Sequence, residues 1–328
     1  MGLNLHCHLE GCVRPETAAD IAREHGIPTP AEGWDAAMRM REPADLTVFL
    51  AHVAAGYPVL GFAEALRRIA REAVEDAAAA GDDFLEIRFG PATHRRPGLP
   101  IPDVIRAVRD GLVDGSRSTG LPTGLVICLL RHSDRETNLE VARAAAALAG
   151  DGVHGLDVAG DELRWPSNEA YIEPYGIAAA AGLGLTAHAA EASPAGAARE
   201  AAEWLGATRI GHGTHVADDP AVLTWAVDHG LTFEVCATSN VYTGAASSLR
   251  EHAIHDFVAA GASVVLGNDN PIQIGRSLAD EERDLVVEGG LGPDQLDAIR
   301  RRSVEVGFMD APVRAALQRR FGGPGGAA

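Results

Sequence analysis

A chain of 328 residues, 46% of them hydrophobic, is long enough to bury a large core, so neither disulfides nor a structural metal is needed to fold it. The formal net charge of -18 and the lack of any basic run argue against nucleic acid or an anionic membrane as a partner. All 28 basic residues are arginine, which excludes Schiff-base chemistry, a lysine general base, a Walker-type phosphate lysine and a metal site bridged by carboxylated lysine.

The first strand-like run, Leu3–His8, ends His6-Cys7-His8. Side chains alternate across a strand, so His6 and His8 share a face and are spaced to grip one metal ion. Hydrogen-bonded core histidines are the competing reading. Pro15–His25 has helical spacing, as does much of 43–80, where Phe49, Leu50, Val53, Tyr57, Leu60 and Phe62 recur. This excursion is expected either to cover a barrel mouth as a lid or to pack as ordinary body. Further strand-like runs follow at Phe84–Phe89, Gly124–Leu130, Val153–Ala159, Leu183–Ala187, Thr208–Gly211, Leu231–Cys236 and Ser263–Leu266. Between them Val104–Val113, Leu139–Leu148, Ala195–Leu205 and Ala221–His229 carry the helical period. Leu278–Val287, Pro293–Arg301 and Pro312–Phe321 read as closing helices, and the small residues of 322–328 as a disordered tail.

Strands that alternate with helices imply parallel pairing and covered sheet faces. Eight such units predict an α/β fold, a closed (β/α)8 TIM barrel with extra helices inserted after strand one. A doubly wound open sheet is the alternative. No repeat or linker intervenes, so 1–321 reads as one domain. Cys7, Cys12, Cys128 and Cys236 form no C-x-x-C pair and read as reduced thiols. Met1–Leu9 has neither a basic n-region nor an apolar h-region, so the expected compartment is cytoplasmic. No apolar run reaches the ~18 residues of a membrane span.

A barrel of this kind places its site at the carboxyl ends of the strands. Strand five runs into His188, with Glu191 beyond it. Strand six leads into Gly211-His212-Gly213, and strand eight into Gly267-Asn268-Asp269-Asn270-Pro271. Individually these read as a capping histidine or a polar turn. Together, His6, His8, His188 and Asp269 would make a nitrogen-rich site for one zinc ion, with bonds of about 2.0–2.2 Å. Zinc with an open position lowers the pKa of a bound water to about 7. His212 and Glu191 remain beside it as titratable groups, which is equipment for metal-assisted hydrolysis.

Seven landmarks occur in series: Leu5-His6-Cys7-His8-Leu9-Glu10-Gly11, Phe84-Leu85-Glu86-Ile87-Arg88, Gly155-Leu156-Asp157-Val158-Ala159-Gly160-Asp161-Glu162, His188-Ala189-Ala190-Glu191, Arg209-Ile210-Gly211-His212-Gly213, Glu234-Val235-Cys236-Ala237-Thr238-Ser239-Asn240 and Asn268-Asp269-Asn270-Pro271. In this order the chain resembles the adenosine deaminase family of the amidohydrolase superfamily along nearly its whole length. The resemblance implies that His6, His8, His188 and Asp269 are zinc ligands. It implies that Glu191 protonates N1 of a purine, and that His212 orients and polarises the attacking water, whose proton Asp269 takes. It also implies a backbone contact from Gly160 to the purine edge and an acidic contact from Glu10 to a sugar hydroxyl.

The implied activity is hydrolytic deamination of a small 6-aminopurine nucleoside to the 6-oxopurine and ammonia. Adenosine or 2′-deoxyadenosine comes first, then a modified nucleoside such as 6-aminodeoxyfutalosine, then free adenine. A Glu191 that donates a proton should have its pKa raised by burial. Three positions depart from the family pattern. Asn270 stands for a second aspartate, and its carboxamide can donate to N7 without taking up a proton. Ala190 replaces a glycine and Ala237 a proline. Two other classes are a catalytically silent binding relative, disfavoured by the presence of Glu191, His212 and Asp269, and another hydrolase on the same barrel, disfavoured by the 157–162 segment. No Pro-Cys-x-x-Cys occurs, which excludes the other zinc deaminase type. The sequence leaves the oligomeric state open.

Overall fold

The branched apolar runs assemble into eight strands: β1 Leu3–His8, β2 Phe84–Phe89, β3 Thr123–Leu130, β4 Gly155–Ala159, β5 Gly184–Ala189, β6 Arg209–His212, β7 Thr232–Val235 and β8 Ser263–Leu266. The computed structural model describes residues 2–321, so the tail expected at 322–328 lies outside the described residues. Consecutive strands pair in parallel around one sheet. The segment after β8 then returns to β1. His8 N–H donates to Asp269 O at 2.7 Å, and Asp269 N–H donates to His6 O at 2.9 Å. That seam makes the fold the expected (β/α)8 barrel rather than an open sheet. It also brings residues from the two ends of the chain together through backbone hydrogen bonds.

Two strands run further than their apolar residues suggest. β5 and β6 continue through His188↔Gly211 and Ala189↔His212, because the ladder is made by backbone groups and tolerates polar side chains at its end. β4 begins at Gly155 rather than Val153, since Val153 pairs instead with Ala149 in the preceding turn. The opposite end of the barrel is filled by Phe308. A side chain at Gly184 would collide with its ring, so β5 needs glycine there.

The helices surround the strands. Pro15–His25 lies as expected and ends on left-handed Gly26. The excursion resolves into Leu46–Ala54, a turn at Tyr57–Leu60, and Ala63–Ala80. Asp45 caps the first of these by accepting a hydrogen bond from Val48 N–H. Ala63–Ala80 buries Leu66, Ile69, Ala70, Ala73 and Val74, three and four residues apart, in the main core beside the Ile101–Thr119 helix. Short helices at Trp34–Met38, Ala237–Tyr242, Ile254–Ala259 and Pro271–Ile274 span under two turns, too little for a period to register. Among the described residues no helix is long and apolar enough to cross a membrane.

Candidate active site

A cavity of about 440 Å³ opens at the carboxyl ends of the strands and is lined by His8, Glu10, Gly160, His188, Glu191, His212, Asp269 and Asn270. His6 is fully buried beside them. The excursion lines the cavity with Leu46, Phe49, Leu50, Val53 and Tyr57, and of these Phe49 and Val53 also pack with Met40 and Ile274 in a core cluster.

The candidate ligand atoms converge. His8 Nε2 and His188 Nε2 lie 3.2 Å apart, and Asp269 Oδ1 lies 3.8 Å from His6 Nε2 and 3.6 Å from His8 Nε2. Two donors bound at about 2.0–2.1 Å to a tetrahedral ion sit about 3.3 Å apart, close to these spacings. His6 Nε2 is buried with no hydrogen-bond partner, an orphaned lone pair facing the other donors. The set therefore fits a divalent ion that accepts nitrogen and oxygen ligands. Burial pushes His6 well below the usual histidine pKa and His8 down to about 4, which keeps both imidazoles neutral, as ligation requires.

Carboxylates orient two of these rings. Glu234 Oε2 lies 2.8 Å from His6 Nδ1, and Asp157 Oδ2 lies 2.9 Å from His188 Nδ1. Each accepts the Nδ1 proton and leaves the Nε2 lone pair free for a metal. Arg88 bridges the two carboxylates, at 2.9 Å from Asp157 and 2.7 Å from Glu234, and Arg209 Nε donates to Glu234 at 2.6 Å and its Nη1 to Glu86 at 3.1 Å. All five side chains are essentially inaccessible to water. Three carboxylates set against two guanidiniums leave one negative charge beneath the ligand cluster, an environment that favours a cation above it.

Glu191 stands on the other side of the cluster. Burial, reinforced by the charges of Asp269 and Glu162, pushes its carboxyl up to about 8. Its Oε2 lies 3.7 Å from His212 Nε2. Glu162 holds the turn that carries it, accepting from Ala192 N–H at 3.1 Å, Ser193 N–H at 2.9 Å and the Ser193 hydroxyl at 2.6 Å. Among the described residues the non-glycine positions with positive φ are Ala190 at 56°, His212 at 61° and Asp269 at 55°. Each lies at the end of a barrel strand, where the backbone turns and re-aims its side chain. A left-handed L-residue costs about 1–2 kcal/mol, so the surroundings must hold all three in place. Ala190 occupies the position where the family pattern has glycine, and its φ accounts for that preference.

The remaining sequence candidates also reach the cavity. Gly160 has φ +117°, open to glycine and strained for other residues. Glu10 Oε1 accepts from Gly90 N–H and pairs with His94 Nε2, both at 3.0 Å, while its Oε2 is buried and unpartnered. Burial opposes ionisation of Glu10, but the His94 and Gly90 contacts outweigh it and hold the carboxyl below its usual range. Asn270 Nδ2 donates one hydrogen to Asp269 Oδ1 at 2.7 Å, and its Oδ1 is buried without a partner. One donor hydrogen on Asn270 is thus already committed to Asp269, which the sequence did not foretell.

Glu86, Arg88, Asp157 and Glu234, all within the quoted landmarks, carry no individual role in the sequence pattern. The available signal was charge at alternate positions of otherwise apolar strands, which marks an inward-facing charged layer.

The family model described as adenosine deaminase matches residues 3–321. The chain belongs to the adenosine deaminase family. It is 33% identical over 326 residues to an adenosine deaminase from Serratia proteamaculans, covering 98% of this chain and 97% of that protein. Among solved structures it is similar to the adenine deaminase of Arthrobacter aurescens, with a TM-score of 0.89, 27% identity and 98% of each chain covered. It is also similar to a Burkholderia ambifaria amidohydrolase with bound zinc, with a TM-score of 0.89 and 25% identity, covering 98% of this chain and 89% of that one. As a member of the adenosine deaminase family, the protein is a hydrolase that removes an amino group with water.

Proposed function

We propose that this enzyme deaminates a 6-aminopurine nucleoside of the adenosine type and uses one zinc ion per chain, held by His6, His8, His188 and Asp269. What supports this reading is Glu191, a buried carboxyl pushed up to about 8, 3.7 Å from His212 and beside the ligand cluster. Zinc, when bound, supplies the Lewis acidity that lets a water ionise near pH 7. Glu191 transfers its proton to ring N1 and so draws electrons from C6, a poor electrophile in the neutral purine. His212 aligns the attacking oxygen with C6, and Asp269 accepts the proton that this oxygen loses. The oxygen adds at C6, Asp269 passes its proton to N6, the C6–N6 bond breaks to release ammonia, and the proton left on O6 returns to Glu191, leaving a 6-oxopurine protonated at N1. Gly160 borders the purine edge, and the second Nδ2 hydrogen of Asn270 is the donor to N7.

The unpartnered Oε2 of Glu10 is the acceptor for a sugar hydroxyl. A second reading, free adenine as substrate, draws on the likeness to the Arthrobacter enzyme. It leaves that oxygen unused, so the nucleoside is the better fit. The test is ammonia release from adenosine, 2′-deoxyadenosine, 6-aminodeoxyfutalosine and adenine, with and without zinc. The expected result is zinc-dependent turnover of a nucleoside, with Glu10→Ala lowering kcat/KM for the nucleoside and leaving adenine unaffected. Release of ammonia from none of these by zinc-loaded protein would reject the proposal.

A further inference from the structure

His212 differs from the ligand histidines in what faces its Nδ1. His6 and His188 have carboxylates there. His212 Nδ1 instead faces the carboxamide of Asn240, with Nδ2 at 3.0 Å. The Oδ1 of Asn240 is 3.1 Å from His252 Nε2, and His252 Nδ1 accepts from the backbone N–H of Ile254 at 3.0 Å. Asn240, His252 and Ile254 are all buried. Ile254 opens the Ile254–Ala259 helix, so its N–H has no partner within the helix.

We propose that the Ile254 amide, acting through His252 and Asn240, locks His212 in the tautomer whose Nε2 carries the proton, making it a hydrogen-bond donor in the site and not a base. The direction of the chain is fixed at one end. A backbone N–H can only donate, so His252 Nδ1 must accept, and the ring proton must sit on Nε2. That proton fixes the carboxamide oxygen toward His252 and its nitrogen toward His212. Burial drives the His252 pKa down to about 3, so the ring stays neutral and the order does not reverse. His212 Nδ1 must then accept, which leaves the hydrogen on Nε2, the nitrogen nearest Glu191. The water's proton has to leave by Asp269, because this nitrogen of His212 has no lone pair to receive it. Asn240 and His252 touch neither substrate nor ion and are positioning residues. This assignment rests on the proposed role of His212 and adds its protonation state.

The experiment is NMR of zinc-loaded protein carrying isotope-labelled histidine, with the His212 signals identified by their loss in His212→Gln. The expected wild-type pattern is a protonated Nε2 and an unprotonated Nδ1. A proton on Nδ1 overturns the proposal without reference to activity. Asn240→Asp presents an acceptor to Nδ1 and should draw a proton there, lowering kcat by about 10²–10⁴-fold with KM and zinc content nearly unchanged. His252→Gln, which still offers an N–H to Asn240, should keep most of the activity, while His252→Glu, which offers an acceptor, should lose it and move the proton. Full kcat in Asn240→Asp with the proton relocated would overturn the positioning role. A wild-type spectrum as expected, but no 6-aminopurine turned over, would instead sink the functional reading and leave the relay standing.

Discussion

Replacing Glu191 by glutamine isolates the proton from everything else at that position. The carboxyl is 7% exposed and is pushed up to about 8, first by burial and then by the neighbouring charges of Asp269 and Glu162. With that value it is about nine-tenths protonated at pH 7 and about one-tenth at pH 9. A bound cation at the ligand cluster would bring that value back down. The protonated form is the donor, so activity is retained on the acid side and lost as pH rises through the Glu191 pKa. kcat/KM should therefore fall about tenfold per unit on an alkaline limb that lies at or below about 8. Glutamine has the shape and neutrality of the protonated acid but no proton to give. Glu191→Gln should bind zinc normally, keep its KM and lose about 10²–10⁴-fold in kcat, equivalent to about 3–5.5 kcal/mol of barrier. The assay is ammonia release across pH, with metal content measured on the same samples. A variant that keeps its rate, or an alkaline limb that survives the substitution, would refute Glu191 as the acid.

Asp157→Asn removes the acceptor at His188 Nδ1 and one partner of Arg88, so zinc affinity measured against a competing chelator should drop about 10–100-fold. Asn270→Asp replaces a donor 2.7 Å from Asp269 Oδ1 with a carboxyl, and should shift relative kcat/KM across the purine panel more than it changes zinc content. At Ala190, glycine relieves about 1–2 kcal/mol of left-handed strain but forfeits a buried methyl and adds chain entropy, so urea unfolding should place Ala190→Gly within about 1 kcal/mol of wild type. Ala190→Val, with a branched side chain at the same φ and no free space, should be clearly destabilised in the same titration.

The barrel was legible because its strands are short branched-apolar runs separated by helical periods long enough to register, as in Ala63–Ala80 and Ile101–Thr119. The polar groups in and beside the cavity were legible because they interrupt those runs at their ends: His6 and His8 in β1, His188 in β5, His212 in β6 and Asp269 after β8. What stayed hidden depends on distances through space. The carboxylates behind His6 and His188 sit in other strands, and their pairing is set by barrel closure rather than by sequence spacing. Glu10 was expected only to meet a sugar, yet half of its carboxyl is already engaged by Gly90 and His94. The strain at Ala190, His212 and Asp269 could be inferred only at Ala190, where the family pattern carries glycine.

The seam between β1 and the segment after β8 has a further consequence for how the protein is made. The proposed ligand cluster draws on both sides of it, and His6 and His8 are synthesised long before Asp269. A nascent chain that has not yet emitted its final strand has three imidazoles but no fourth ligand and no closed ring to hold them. An ion held by the proposed ligands would therefore span the seam, with the first strand on one side and the segment after the last strand on the other.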